Sequence, residues 1–474
     1  MDKFSRFIKK LRDELHQARA ASYQRLQRRL ELLNDSQWVG LSFILVILIG
    51  TILFMLPFTS TTGKGLSFID ALFTATSATC VTGLAVVTTG EHFNLLGQII
   101  LLLLIQIGGL GLMTITAAIS LGAKNKLSLK TKQLLQEALN QSNLYSGRHL
   151  MYRVIRYTLY CELGIGTILA VAFYDQYGLK GIYYGYWHAV SAFCNAGFDL
   201  FGDSLMSYQT VGVINGLFMA LIILGGLGFT VIHDLRHSFS WRYSGLSWSR
   251  FSLHTKIVLV TNSILLAAGT LVFWALEASN EGTLGSLGFG EQLLVSLFHS
   301  VSSRTAGFNS VDLALLTNGT LFFMVFLMLV GASPASTGGG LKTTTMALLF
   351  LESIAHIRGK NTVVCFGRRI DQQLLNKATS IFVLAMLWLV LALFLLLVFD
   401  NGHHDFKLVV FELCSAFGTV GLGIGITGEW NLPCKLVLIA SMFVGRIGIL
   451  TFGLSFFNRK ADLVGYPSEN IVIG

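Results

Sequence analysis

Four stretches of this chain read alike: FIDALFTATSATCVTGL (Phe68–Leu84), YWHAVSAFCNAGF (Tyr186–Phe198), LLVSLFHSVSSRTAGF (Leu293–Phe308) and LVVFELCSAFGTVGL (Leu408–Leu422). Each is a short amphipathic run ending in a glycine that a large apolar residue follows. The glycines, Gly83, Gly197, Gly307 and Gly421, are 114, 110 and 114 residues apart. Each is followed, 24 to 28 residues on, by a second motif: QIGGLGLMT (Gln106–Thr114), ILGGLGFTV (Ile223–Val231), LVGASPAST (Leu329–Thr337) and FVGRIGILT (Phe443–Thr451). One unit therefore occurs four times, and a fixed period sets the architecture before any single element does.

Working outward, long apolar stretches flank every run. They are Trp38–Leu56, Leu95–Leu121, Val154–Phe173, Val211–Ile232, Ile257–Leu276, Leu321–Val330 continuing past a break, Thr379–Phe399 and Leu436–Phe457. A bilayer takes about 20 residues to cross, so these count as eight spans. Composition agrees. The 474 residues are 53% apolar and only 12% charged, with a mean hydropathy of +0.65. A soluble domain carries about 25% charged residues. Ordinary soluble enzymes, disordered regulators and disulfide scaffolds are excluded. Forty-nine Gly with four Pro suit close-packed membrane helices with short breaks. The fold class is an all-α polytopic membrane protein: four tandem span–re-entrant pore loop–span repeats around a pseudo-fourfold central pore.

Positive charge sets the topology. Of 34 Lys and Arg, Lys64, Lys180, Arg304, Lys407 and Lys435 lie on one side and Arg446 lies inside a span. The rest fall in or beside the N-terminal segment, the three connections between repeats and the tail. Both termini and those connections are therefore expected in the cytoplasm, with the loops re-entering from outside. The net charge of +9 orients the chain in the lipid bilayer and calls for no nucleic acid. The chain divides into a cytosolic amphipathic N-terminal segment (1–37), pore repeat 1 (38–121), a cytosolic linker (122–153), repeat 2 (154–232), a linker (233–256), repeat 3 (257–350, with an intramembrane loop at 331–345), a linker (351–378), repeat 4 (379–457) and a cytosolic tail (458–474).

Irregular backbone survives at membrane depth only where it is buried in protein or lines water. Four such loops satisfy this best by meeting on one axis, where the partly negative C-terminal ends of the short helices would converge. Their carbonyls can then replace the hydration shell of a cation. The candidate filter is Val81, Thr82 and Gly83; Asn195, Ala196 and Gly197; Thr305, Ala306 and Gly307; and Thr419, Val420 and Gly421. No acidic ring accompanies them, which disfavours a divalent cation. The alternative is four helix-packing glycines. Gly331–Thr345 holds four Gly, six Ser/Thr and Pro334. A helix there loses about 1 kcal/mol per glycine and a hydrogen bond at the proline, so an intramembrane loop is expected; a kinked helix is the alternative. Arg446 aligns with Gly109, Gly226 and Ala332 in the other three motifs. A charge at that depth needs a wet cavity or a partner: the loop's carbonyls, or an ion pair with Glu162. His188 and His299 read as helix anchors, and Arg304 as a brace.

CVTGL, CNAGF, RTAGF, GTVGL and GASPASTGGGLKTTT (Gly331–Thr345) resemble the Trk/Ktr/HKT superfamily of potassium transporters, most closely its Ktr-type membrane subunit, KtrB. The resemblance runs from about residue 38 onward. It implies potassium uptake across the bacterial plasma membrane, with potassium at the filter carbonyls, sodium as a further ion in many members and no organic cofactor. Glycine at all four filter positions goes with potassium; in plant relatives a serine at the first goes with sodium. The resemblance also implies a homodimer, a cytosolic nucleotide-binding regulatory ring (KtrA-like), and a tail packed in the dimer interface. The loop is implied to be a gate, built from Gly331, Ser333, Pro334, Ser336, Thr337, Gly338, Gly339, Gly340 and Lys342 and held by Arg446.

Two other classes fit the sequence less well. A secondary carrier usually carries two inverted repeats rather than four parallel ones. A membrane enzyme would need a catalytic constellation, and neither H-E-x-x-H nor G-x-S-x-G occurs. Six Cys without a C-x-x-C pair imply no redox or metal chemistry.

Overall fold

The computed structural model describes residues 35–111, 146–238 and 248–456. Most of the N-terminal segment, most of the linker at 122–153, part of the linker at 233–256, and the tail lie outside them, as does the far end of the stretch Leu95–Leu121.

The described chain is almost wholly helical. In order it forms α1 (Asp35–Met55), α2 (Phe68–Thr79), α3 (Leu95–Leu110), α4 (Ser146–Tyr177), α5 (Leu179–Cys194), α6 (Gly212–Gly226), α7 (Phe229–Ser238) and α8 (Leu253–Glu277). It continues with α9 (Phe289–Ser302), α10 (Asn318–Leu329), α11 (Thr343–Ile357), α12 (Gln372–Asp400), α13 (Phe406–Gly418), α14 (Leu432–Ile447) and α15 (Ile449–Phe456). A two-residue antiparallel ladder, Val364–Cys365 on Arg368–Arg369, sits between α11 and α12. Side-chain caps fix where helices begin. Asn94, Thr317 and Asn431 each accept from the backbone N–H three residues on, starting α3, α10 and α14.

Among the described residues, four helices are long and apolar enough to cross a membrane, and they lie within α1, α4, α8 and α12. Their apolar side chains stay exposed along one face, as at Leu45, Leu48 and Ile52 on α1 and Leu387, Val390 and Phe394 on α12. An exposed apolar face of that length belongs against lipid.

The second stretches depart from the expectation that only the third is interrupted: those of the second and fourth units are broken too, and in the first the described helix stops before the rest of the stretch, which lies outside the described residues. α3 ends at Leu110, with Gly111 at φ 78. α6 and α7 are bent by 98°, with Gly228 at φ 92 between them. α10 and α11 are separated by residues 330–342, and α14 and α15 by Gly448 at φ 92. A residue at that φ cannot extend the i→i−4 ladder, and glycine alone adopts it at no steric cost. When the four motifs are aligned, one place, held by Gly111, Gly228, Pro334 and Gly448, lies beyond the helix end in every unit, one or two residues past it in three and five in the third.

Packing between units closes a circle. α3 packs on α5, α6 on α9, α10 on α13, and α14 returns to α2. The second helix of each unit thus supports the short helix of the next. Lys435 Nζ on α14 also pairs with Asp70 Oδ1 on α2 at 2.8 Å.

Candidate functional site

The short helices α2, α5, α9 and α13 all end in the same backbone sequence. Val81, Asn195, Thr305 and Thr419 have φ of 57°, 60°, 81° and 50°; two residues later Gly83, Gly197, Gly307 and Gly421 have φ of 96°, 72°, 80° and 91°. Three of the four non-glycine residues are β-branched, for which positive φ is a true outlier. Such strain persists only where the surroundings over-determine it.

A serine in each short helix supplies that determination. The carbonyls of Ser77, Ser191, Ser302 and Ser415 accept from the N–H of Thr82, Ala196, Ala306 and Val420 at 2.8, 2.8, 3.0 and 2.8 Å. Their hydroxyls bind the loop again. Ser77 and Ser415 accept from Gly83 N and Gly421 N at 3.1 and 3.0 Å. Ser191 donates to Phe198 O at 2.7 Å, and Ser302 donates to Phe308 O. The sequence reading passed over these serines. The signal was present: six, six, five and six residues before the glycine, a serine stands in every copy.

The four triplets come together. A Cβ built on Gly83 would strike Ala196 O and lie 3.0 Å from Gly197 Cα; one on Gly197 would lie 2.9 Å from Ala306 O and 3.0 Å from Gly307 Cα. One on Gly307 would strike Val420 O, 3.2 Å from Gly421 Cα, and one on Gly421 would strike Thr82 O, 2.9 Å from Gly83 Cα. Each glycine thus meets the carbonyl of the next loop, and the fourth meets the first. His188 and His299 anchor the far ends of these loops: Nε2 of each accepts a backbone N–H, from Leu200 at 3.2 Å and Ser310 at 3.4 Å.

Residues 330–342 dock against this cluster. Gly339 N donates to Thr419 Oγ1 at 3.0 Å, and Thr337 Oγ1 donates to Phe193 O at 3.2 Å. A Cβ on Gly338 would lie 2.6 Å from Ala332 Cβ and 3.0 Å from Thr305 Cβ. The broken second helices of the other units receive the loop's backbone. Ser333 N and Thr337 N donate to Gly226 O and Gly225 O at 3.1 and 3.3 Å, Phe229 N donates to Ala335 O at 2.8 Å, and Gly340 N donates to Gly445 O at 3.2 Å. Within the loop, Ser336 Oγ donates to Ser333 O and Lys342 Nζ to Gly338 O, both at 2.6 Å. Gly331 N donates to Leu341 O at 2.8 Å, and Pro334 O abuts Gly228.

Arg446 ties loop and units together. Its guanidinium donates to Thr337 O in the loop and to Gly108 O and Gly109 O at the end of α3. Of the two partners the sequence left open, the loop carbonyls are the ones it meets; Glu162 instead accepts from Gln106 Nε2 at 3.0 Å. Arg304 braces its own unit, donating through Nη2 to Asn262 Oδ1 at 2.5 Å.

Comparison with known proteins gives the family. The family model described as TrkH, cation transport protein, matches residues 15–462. The chain is 42% identical over 442 residues to Ktr system potassium uptake protein B of Vibrio alginolyticus, covering 93% of this chain and 95% of that one. It is 39% identical over 460 residues to the potassium/sodium uptake protein NtpJ of Enterococcus hirae, covering 95% and 99%. Its fold is similar to that of the crystal structure of the potassium transporter TrkH from Vibrio parahaemolyticus, with a TM-score of 0.67 at 20% identity over 90% of this chain and 85% of that one. With four helices among the described residues long and apolar enough to cross a membrane, and a family match over nearly its whole length, the chain belongs to the TrkH family of cation transport proteins: it is a multi-pass membrane transporter and not an enzyme.

Proposed function

We propose that this chain takes up potassium through a pore on the pseudo-fourfold axis where the four loops meet. The observation that carries the reading is the closed circle of glycines and carbonyls, Gly83 to Ala196 O, Gly197 to Ala306 O, Gly307 to Val420 O and Gly421 to Thr82 O. Carbonyl dipoles arranged in this way substitute for a cation's water shell. The filter is the four triplets ending at these glycines. Residues 331–345 are the gate, which in this conformation docks on Thr305 and Thr419. Arg446 holds it shut, both by its bond to Thr337 O and by its charge on the conduction path.

The likeness to two proteins named for potassium uptake supports potassium as the cargo. The name of the Enterococcus relative adds sodium as the second ion to test. The distribution of Lys and Arg supports a cytoplasmic location for both termini in the bacterial plasma membrane. The likeness to Ktr system proteins supports a cytosolic partner of the KtrA type; the homodimer and the nucleotide-binding ring are what the family resemblance implies. Growth rescue of a potassium-uptake-deficient bacterium at low potassium, with and without sodium, tests the reading. Rescue is the expected result, and its absence in cells that carry the protein in their membrane overturns it.

A further inference from the structure

Asn262 sits on α8 and is buried. Its amide touches both functional parts of the third unit. Oδ1 accepts from Arg304 Nη2 at 2.5 Å, and Nδ2 donates to Ser333 Oγ at 3.1 Å and to Val258 O at 2.7 Å. Arg304 immediately precedes Thr305, which begins a filter triplet, and Ser333 lies in the interrupting loop.

Two features make this a joint rather than incidental packing. Arg304 Nε and Nη1 are buried with no hydrogen-bond partner among the described residues, so the position of the guanidinium rests on Asn262. The amide is also one rigid plane. If it turns to follow Ser333, its oxygen leaves Arg304. A cavity of about 200 Å³, lined by Asn195, Asn262, Ser263, Arg304 and Ala332 among others, gives the group room to move. The Ser333 hydroxyl accepts one further bond, from Thr343 Oγ1 at 3.2 Å, so the start of α11 is linked to the same point.

We propose that Asn262 is a positioning residue that couples the loop at 331–345 to the filter segment of the same unit, so that release of the loop loosens the backbone around Thr305–Gly307. The proposal rests on the pore reading, but its first test needs no transport. Hydrogen–deuterium exchange of the full chain in lipid nanodiscs reads residues 302–310 and 331–345 separately. Ser333→Ala is expected to speed exchange in both segments about fivefold or more, since it removes the bonds that its hydroxyl accepts from Asn262 Nδ2 and Thr343 Oγ1. In an Asn262→Leu background the same change should speed 331–345 and add nothing to 302–310. Faster exchange confined to 331–345 on Ser333→Ala, or an equal effect on 302–310 with and without Asn262, overturns the coupling. If Asn262→Leu does not fold, Asn262→Asp takes its place, since it keeps the acceptor for Arg304 and removes the donor to Ser333, and in that background Ser333→Ala should likewise add nothing to 302–310. In transport, Ser333→Ala should lower potassium-over-sodium discrimination about threefold by the same loosening. A wild-type protein that carries no potassium strikes the pore reading, while the exchange cycle still tests the coupling.

Discussion

At the scale of single residues, the proposed filter role of the four glycines follows from the absence of room for anything else. A Cβ on Gly307 would fall between Gly197 Cα and Gly421 Cα, 3.0 and 3.2 Å away, while the φ of 80° already disfavours any L side chain. Gly83→Ser, Gly197→Ser, Gly307→Ser and Gly421→Ser are each expected to lower potassium-over-sodium discrimination about tenfold, a loss of about 1.4 kcal/mol. Uptake with competing sodium measures this, and unchanged discrimination in all four would remove the filter from this site. The serines that bind each loop were equally present in the sequence. They escaped notice because a serine in a short amphipathic helix has many uses, and only the shared bonds to the loop single these out.

At the scale of elements, the loop between α10 and α11 is held from several directions: by Thr419, by the broken ends of α6 and α14, and by Arg446. Shortening it removes these contacts and leaves the glycine circle untouched. Deleting residues within Ala335–Gly340 should therefore raise maximal uptake velocity about tenfold with selectivity preserved, the gate's contribution being on the order of 1.4 kcal/mol. Arg446→Gln should raise velocity less, because it removes the charge while a neutral donor remains for Thr337 O. Velocity that falls or stays level in a well-expressed, monodisperse deletion variant would return the segment to a structural break.

A second element-scale prediction concerns the turn after α12. His404 Nδ1 bonds Asp400 Oδ1 at 2.7 Å, and its Nε2 faces Glu429 Oε2 at 3.4 Å. Burial pulls the imidazole down, but the two carboxylates outweigh it and raise its pKa above the ordinary 6.5. A raised histidine stabilises the fold in full below 6.5 and loses that contribution as pH rises through the folded-state value. The thermal midpoint should thus fall on going from below pH 6.5 to above the raised value, and His404→Gln should flatten that slope. Glu429 is largely exposed, so solvent screens its share and Asp400 supplies most of the effect. An identical pH slope in the variant would refute the assignment.

At the scale of the whole molecule, α12 exposes Leu387, Val390 and Phe394 along a face that lipid or a second copy must cover. A homodimer in which the apolar residues Ile471–Gly474 pack on the neighbouring subunit is the proposed assembly. Truncation after Val464 should weaken the dimer about tenfold or more, consistent with burial of several apolar side chains. Mass measurement in detergent across a dilution series checks this, and a truncated protein as dimeric as the full chain would remove the tail from the interface.

The sequence by itself determined the repeat, its period and the four glycines, because a filter glycine and a broken helix leave marks at fixed places in every copy. It also nominated the loop at Gly331–Thr345, whose glycines and proline disfavour a helix, although its last three residues, Thr343–Thr345, open α11. The broken ends of α3, α6 and α14 were legible too, at Gly111, Gly228 and Gly448, but apolar flanks made them read as continuous spans. What only the tertiary structure decided was partnership. Arg446 is more than 300 residues from Gly108, and no local pattern ranks that carbonyl above Glu162. Asn262 is likewise an ordinary polar residue in an apolar helix until Arg304 and Ser333 are brought to opposite ends of its amide. Periodicity records what each unit does to its own backbone; which units touch is fixed only when the circle closes.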